Sequence, residues 1–170
     1  MKKRAEIAIV WGKGEGQTRL SAFDAALADA GIADFNLVTL SSVIPPYAVV
    51  REVGRFSGEG VGMVLPVVLA ASMGEGYQAA GLGWTTSSQG GILFESCKST
   101  PQKIEENIKK GLTDMMNRRA WNFSSISFKI QEADYDMSCA LVAALFIIPR
   151  PRFLEWFWMS QSTPGVHHAD

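Results

Sequence analysis

Residues 36–46 read Asn36-Leu37-Val38-Thr39-Leu40-Ser41-Ser42-Val43-Ile44-Pro45-Pro46. The apolar first half of this segment predicts a strand, which runs into two serines and then into two prolines. Prolines fix their own φ and push the preceding residue out of the helical region, so the strand must end in a stiff turn. A stiff backbone can hold the Ser42 hydroxyl against the Ser41 carbonyl, as an acyl shift from nitrogen to oxygen requires. The same composition is also typical of an ordinary exit from a strand into a loop.

The wider sequence favours the first interpretation, through a resemblance to a known enzyme family. Its residues are WGKGEGQTRLSAFDAALADAGIADFNLVTLSSVIPP (11–46), GILFE (91–95) and CALVAAL (139–145). Together these stretches resemble the pyruvoyl-dependent arginine decarboxylases over residues 5–148. The resemblance implies that the chain cuts itself between Ser41 and Ser42, giving residues 1–41 and 42–170, and that Ser42 becomes a pyruvoyl group.

The implied chemistry needs no external cofactor. Attack of the Ser42 hydroxyl on the Ser41 carbonyl converts the amide into an ester, and loss of the Ser42 α-proton then expels the first fragment. Loss of ammonia to water leaves a pyruvoyl ketone at the new amino terminus. This ketone forms a Schiff base with the substrate amine and draws electrons as CO₂ departs, as pyridoxal does in other decarboxylases. The implied reaction converts L-arginine to agmatine.

The resemblance also implies roles for four further residues. Glu95 is expected to return a proton to the substrate Cα, and the apolar residues before it should favour its protonated form. Asp24 is expected to bind the substrate guanidinium, which a carboxylate can grip with two parallel hydrogen bonds. Asn36 and Val43 are expected beside the substrate. Simpler alternatives are a surface charge at Glu95, a helix-end charge at Asp24 and satisfaction of backbone groups by Asn36.

Periodicity and turn residues predict an α+β protein with helices packed outside a mixed sheet. Predicted strands span residues 5–11, 36–40, 47–52, 61–72, 78–86, 91–96, 127–132 and 137–148, with a flexible glycine loop at 12–16 and turns at 74–76 and 87–90. The resemblance implies a finer architecture, a four-layer α/β/β/α sandwich. It also implies a homotrimer or a pair of trimers, with active sites between neighbouring protomers.

Two helices complete this prediction. The first should follow Ser21 as its cap, with Asp24 in its first turn, and should end at Gly31. Its predicted apolar side consists of Leu20, Phe23 and Leu27. The second should follow Thr100 with Pro101 at its first position. Its predicted apolar side consists of Ile104, Ile108, Leu112 and Met115.

Composition limits the partners and the compartment. The 170 residues suit one domain, placed at 1–148, and the net charge of −1 argues against nucleic acid. Two cysteines are too few for a disulfide framework, and no apolar run is long enough to cross a bilayer, so we expect a soluble cytoplasmic protein. His167 and His168 lack partners at metal spacing, so no metal is expected.

The tail at 149–170 departs from the family pattern, since its FLEWFWM stretch (153–159) needs a partner. A neighbouring subunit is the first interpretation and a membrane surface the second. Two other functions stay open: decarboxylation of another amino acid, such as histidine, on the same machinery, and an uncleaved binding or structural subunit of the same fold. The sequence does not decide between polyamine supply and proton consumption in acid as the physiological purpose.

Overall fold

The computed structural model describes residues 5–147, which form a mixed sheet flanked by two helices. The strands are β1 (Glu6–Glu15), β2 (Asn36–Thr39), β3 (Val43–Ile44), β4 (Val49–Gly54), β5 (Val64–Ser87), β6 (Gly90–Cys97) and β7 (Ser127–Ile147), and the helices are α1 (Arg19–Ala30) and α2 (Pro101–Asn117). The strand order is β3-β6-β5-β7-β1-β4, and β2 pairs with β5 off this path. The predicted α+β class is confirmed.

Two strands are much longer than the sequence predicts. Strands β5 and β7 pair antiparallel from Val67 opposite Leu145 to Trp84 opposite Ser127. The predicted division of each into two separate strands is therefore wrong. The ladder only shifts its register between Glu75 and Gly76, where a bulge absorbs the irregularity without ending the pairing. Because β5 continues past this bulge, its first part pairs with β2 and its last part with β6.

The glycine-rich residues 12–16 belong mostly to β1, so the predicted flexible loop is wrong. Pairing with β7 continues through Glu15. Helix α1 packs so closely on β1 that a Cβ at Gly12 would overlap the carbonyl oxygen of Ala26, and one at Gly14 that of Ala22. These glycines are required by the close approach of two backbones.

Helix α1 begins earlier than predicted. Thr18 is its N-cap, because the Thr18 hydroxyl accepts from the Ser21 N–H at 3.1 Å and the Ser21 hydroxyl accepts from the Thr18 N–H at 2.9 Å. Asp24 therefore lies beyond the first turn, and Leu20 is 74% exposed and not on the apolar side. The buried side consists of Ala22, Ala26, Leu27 and Ala30. Gly31 ends the helix at φ 79°, as predicted.

Helix α2 agrees with the sequence. Thr100 is the cap, its hydroxyl accepting from the Lys103 N–H at 3.4 Å, and Pro101 is the first helical residue. The buried residues are Ile104, Ile108 and Leu112. They pack over Gly81 and Gly83 of β5, where a Cβ would overlap the isoleucine side chains. Each helix therefore rests on a strand at two glycines spaced two residues apart.

Three groups of buried apolar side chains follow the sheet from α1 to α2. The first joins α1 to β1, β5 and β7, and includes Val10, Ala26, Val67 and Leu141. The second contains side chains of β1, β3, β5, β6 and β7, among them Ile7, Ile9, Val68, Val142, Leu82, Trp84 and Leu93. The third joins α2 to β5 and β6, and includes Ala79, Ile92, Ile104 and Ile108. Strand β5 contributes to all three groups and so connects them.

Among residues 5–147, neither helix has the length and apolar character needed to cross a bilayer. The expectations for the aromatic tail at 149–170, including His167 and His168, concern residues outside the described range.

Candidate active site

Ser42 lies in the connection between β2 and β3, where the chain changes its neighbour in the sheet. Strand β2 runs parallel to the start of β5, whereas β3 pairs antiparallel with β6, Val43 lying opposite Ile92. The chain must turn between these two pairings. Ser42 takes up the turn at φ 35°, in the left-handed region, which costs a residue other than glycine roughly 1–3 kcal/mol. Backbone strain is therefore located at the second serine of the pair.

Two groups of β6 contact Ser42. The Ser42 hydroxyl donates to the Glu95 carboxylate, with Oγ 3.0 Å from Oε1 and 3.1 Å from Oε2. The Leu93 N–H donates to the carbonyl oxygen of Ser42 at 2.9 Å. Since side chains two apart on a strand point to the same face, the register that sets Leu93 opposite Ser42 also brings Glu95 to its hydroxyl. A potential nucleophile thus touches a carboxylate that can carry a proton.

Glu95 itself is exposed, although Ile92 and Leu93 before it are buried. The prediction that apolar residues surround the Glu95 carboxyl is therefore wrong for a single chain. The reason is that β3 pairs only with Gly91 and Ile92, so Glu95 lies beyond the covered edge of β6. Val43, beside Ser42, is 50% exposed. In a single protomer the reactive pair is consequently open on one side.

Asp24 lies elsewhere on the surface. It is exposed on α1 and lines a groove with Asp34, Arg55 and Phe56. Arg55 Nη1 in this groove donates to the carbonyl oxygen of Asp29 at 2.8 Å. Within residues 5–147, no hydrogen bond joins Asp24 to the Ser42–Glu95 pair. Among the described residues, the groove at Asp24 shares no lining residue with the Ser42–Glu95 pair.

Asn36 is engaged with the loop that precedes β5. Its Nδ2 donates to the carbonyl oxygen of Gly62 at 2.7 Å, and its backbone N–H donates to that of Met63 at 2.8 Å. In one protomer these contacts match the simpler alternative, in which Asn36 satisfies backbone groups.

With this geometry described, comparison with known proteins identifies the family. Residues 6–151 match the family model described as pyruvoyl-dependent arginine decarboxylase. The chain belongs to the pyruvoyl-dependent arginine decarboxylase family. Proteins of that name are similar to it in Halobacterium salinarum (37% identity over 121 residues, 68% of this chain and 76% of the relative) and Thermococcus kodakarensis (33% over 144 residues, 79% and 89%). Another, from Methanopyrus kandleri, is 31% identical over 144 residues, 82% of this chain and 94% of the relative.

Pyruvoyl-dependent arginine decarboxylases depend on a self-generated pyruvoyl group, and the residues around Ser42 fit one. Ser42 offers a hydroxyl held by Glu95 and a carbonyl oxygen held by the Leu93 N–H, so both functional groups of the serine have a partner on β6. Both partners come from one strand, and this edge of β6 is open at Glu95. A ligand can therefore approach the position that the group would occupy.

Groups with displaced pKa values lie away from this pair. Desolvation, with a hydrogen bond to Glu132, raises the pKa of Tyr77 to about 12. Burial raises the pKa of the Cys139 thiol to about 11. Among residues 5–147, no three His, Cys, Asp or Glu side chains are arranged to hold a metal ion.

The sequence does not indicate that the Leu93 N–H contacts Ser42, or which residues surround Asp24. Every residue except proline carries an N–H, so only the register of β3 on β6 reveals which one meets Ser42. Arg55 follows the predicted strand at 47–52 and carries no motif that would place it beside Asp24.

Proposed function

We propose that this protein is a self-processing decarboxylase that converts L-arginine to agmatine and CO₂, using a pyruvoyl group formed from Ser42. The observation that carries the proposal is the hydrogen-bonded Ser42–Glu95 pair at the position where the family resemblance puts the cut. Cleavage between Ser41 and Ser42 would give chains 1–41 and 42–170, and the pairing of β1 and β2 with later strands would hold their described parts together.

The chain's own residues account for the cut. Ser42 Oγ is the nucleophile, and its attack on the Ser41 carbonyl exchanges the amide for an ester. The left-handed backbone at Ser42 is strained by roughly 1–3 kcal/mol, and breaking the bond before it releases that constraint. Elimination from the ester then expels the carboxyl end of residues 1–41.

During turnover, the pyruvoyl group supplies the electron sink that lets a carboxylate leave as CO₂. Glu95 is proposed to deliver the proton that replaces it on Cα. Its carboxyl lies beside the Ser42 side chain, where the group would form, which supports a position facing the substrate Cα. Val43, half exposed next to Ser42, is proposed to line the cavity.

Substrate recognition is proposed to involve two protomers. A trimer, or a pair of trimers, would set Asp24 of one protomer against the Ser42–Glu95 pair of the next. Two observations support this: Asp24 is exposed, and the open side of the reactive pair lies at Glu95. A carboxylate can pair with a planar guanidinium through two parallel hydrogen bonds. Asn36 is proposed to border the same site.

We also propose a four-layer α/β/β/α sandwich and a cytoplasmic location. The three core groups support the layering, since the first contains α1, the third contains α2, and the second holds side chains of the sheet alone. The free thiols of Cys97 and Cys139 support a reducing compartment.

Denaturing electrophoresis with intact-mass measurement tests the proposal. The purified protein should separate into 1–41 and 42–170, and the longer chain should lack a free amino group and react with a hydrazide. Ser42→Ala should stay intact and inactive, whereas Ser41→Ala, which keeps the nucleophile, should still be cut.

Each contrary result has a distinct meaning. An intact wild-type chain that decarboxylates arginine without added cofactor rules out the pyruvoyl mechanism. An intact and inactive chain favours the uncleaved subunit, and faster turnover of histidine than of arginine favours another substrate.

A further inference from the structure

We propose that the backbone N–H of Leu93 is a catalytic hydrogen-bond donor in self-processing. It stabilises the negative charge that collects on the carbonyl oxygen of Ser42 when the ester intermediate breaks down. This inference rests on the proposed cut between Ser41 and Ser42, and it concerns the step after the nucleophilic attack.

The elimination step explains why this oxygen matters. The Ser42 Cα–H bond breaks and its proton passes to water, while its electron pair spreads onto the adjacent Ser42 carbonyl oxygen. The pair then forms the Cα=Cβ bond as Cβ–Oγ breaks, and Ser41 leaves as a carboxylate. A Cα–H beside an amide is a weak acid, so the charge on that oxygen forms the main part of the barrier.

The structure places a donor at this oxygen before any reaction starts. Leu93 N lies 2.9 Å from Ser42 O, inside the roughly 2.7–3.1 Å range of donors that stabilise oxyanions. Leu93 is buried, and its strand β6 is also paired with β5, Leu93 lying opposite Trp84. The donor is therefore fixed in a covered part of the sheet and needs no rearrangement when the charge develops.

The backbone geometry of Ser42 gives this contact a cause. At φ 35° the residue turns the chain from its pairing with β5 to its pairing with β6, where its carbonyl oxygen accepts from the Leu93 N–H and its hydroxyl donates to the Glu95 carboxylate. Two residues of one strand thus hold two of the oxygens that take part in cleavage.

An ester in the backbone tests the donor directly. Leucic acid in place of Leu93 keeps the side chain, removes the N–H and weakens the preceding carbonyl as an acceptor. Glycolic acid in place of Gly91 is the matched control, since it removes an N–H two residues away on the same strand, at the residue opposite Ile44. We expect processing to slow by roughly 10²–10³-fold in the first variant, the usual effect of losing one oxyanion donor, and to stay near the wild-type rate in the second.

Two further readouts identify the step and the group. Hydroxylamine cleaves esters, so the first variant should accumulate an intermediate that this reagent releases as the hydroxamate of residues 1–41. The engineered ester also reacts, but it gives a fragment that ends at Ile92, and intact mass distinguishes the two products. Leu93→Pro is genetically encoded and also lacks the N–H, so it should be cut as slowly as the first ester variant and repeats the test if the ester variants do not fold.

The outcomes separate this inference from the proposed function. A wild-type chain that never cuts overturns the proposed function and this inference with it. A wild-type chain that cuts normally, with the Leu93 ester variant equally fast, overturns the inference alone. Equal slowing of both ester variants, or a wild-type rate in Leu93→Pro, also overturns it, because the slowing would then come from strand structure or the N–H would not be needed.

Discussion

Ser42 and Asp24 are proposed to act in one reaction, yet the protomer holds them in different ways. Ser42 is strained and contacts β6 through its hydroxyl and its carbonyl oxygen. Asp24 is an exposed carboxylate in a groove beside α1. The groups proposed to cut the chain therefore lie within a single chain. Asp24, which is proposed to select the substrate, is proposed to act on the Ser42–Glu95 pair of a second protomer.

Replacing Glu95 should have the largest effect, and it tests the role proposed for the Ser42–Glu95 contact. Gln can still accept a hydrogen bond from the Ser42 hydroxyl but cannot deliver a proton. Glu95→Gln should therefore still be cut, while turnover of arginine falls by about 10²–10⁴-fold. The measurements are fragment yield and kcat, with Glu52→Gln on exposed β4 as the control. Undiminished kcat would assign the proton to another group.

Removing the charge of Asp24 tests whether this carboxylate selects the substrate. Asp24→Asn should process normally and lose roughly 1.5–3 kcal/mol of arginine binding, the worth of a hydrogen bond to a charged group. The measurement is kcat/KM for arginine and for citrulline, which is nearly isosteric but neutral. Asp114→Asn on α2 is the control. An unchanged arginine-to-citrulline ratio would reduce Asp24 to a surface charge.

A mixture of two variant chains tests whether Ser42 of one protomer and Asp24 of another form one site. Co-expressed Ser42→Ala and Asp24→Asn chains should form mixed trimers in which some sites combine an intact Ser42 with an intact Asp24. Activity toward arginine should then exceed that of either variant alone. A mixture no more active than its Asp24→Asn component would place both residues in a site made by one chain.

The smallest expected effect is at Asn36. Asn36→Ala removes the hydrogen bond to Gly62 and should lower the free energy of unfolding by about 1 kcal/mol. If its contacts are only those within one protomer, processing and KM should not change. Chemical denaturation and kinetics measure both, with Asn122→Ala, an exposed asparagine, as the control. A large rise in KM would bring Asn36 into the substrate site.

The sequence predicts features set by local chemistry and misses those set by distant pairing. The Thr100–Pro101 start of α2 and the Gly31 end of α1 follow from capping and φ preferences, so they could be predicted. The continuity of β5 through Glu75 and Gly76 could not, because a bulge and a turn use the same residues.

The candidate site shows the same division. Ser42 was visible because two serines before two prolines form an unusual local pattern. Its contacts with Glu95 and with the Leu93 N–H, both more than fifty positions away, depend on the register of β3 on β6. A register shift of one residue would turn Glu95 to the other face, and nothing in the composition of either strand fixes that choice alone.

The position of β1 has a consequence for how the protein can be made. Strand β1 lies between β4 and β7, and β2 pairs with β5, so the described part of residues 1–41 is interleaved with strands of residues 42–147. Under the proposed cut, the mature protomer is a heterodimer that arose from one polypeptide. Folding before the cut is a first-order event, whereas renaturation afterwards requires two chains to find each other and depends on concentration. The cut protein should therefore stay folded because it unfolds slowly, which is kinetic stability. After denaturation, a smaller fraction of it should refold than of the uncut Ser42→Ala chain.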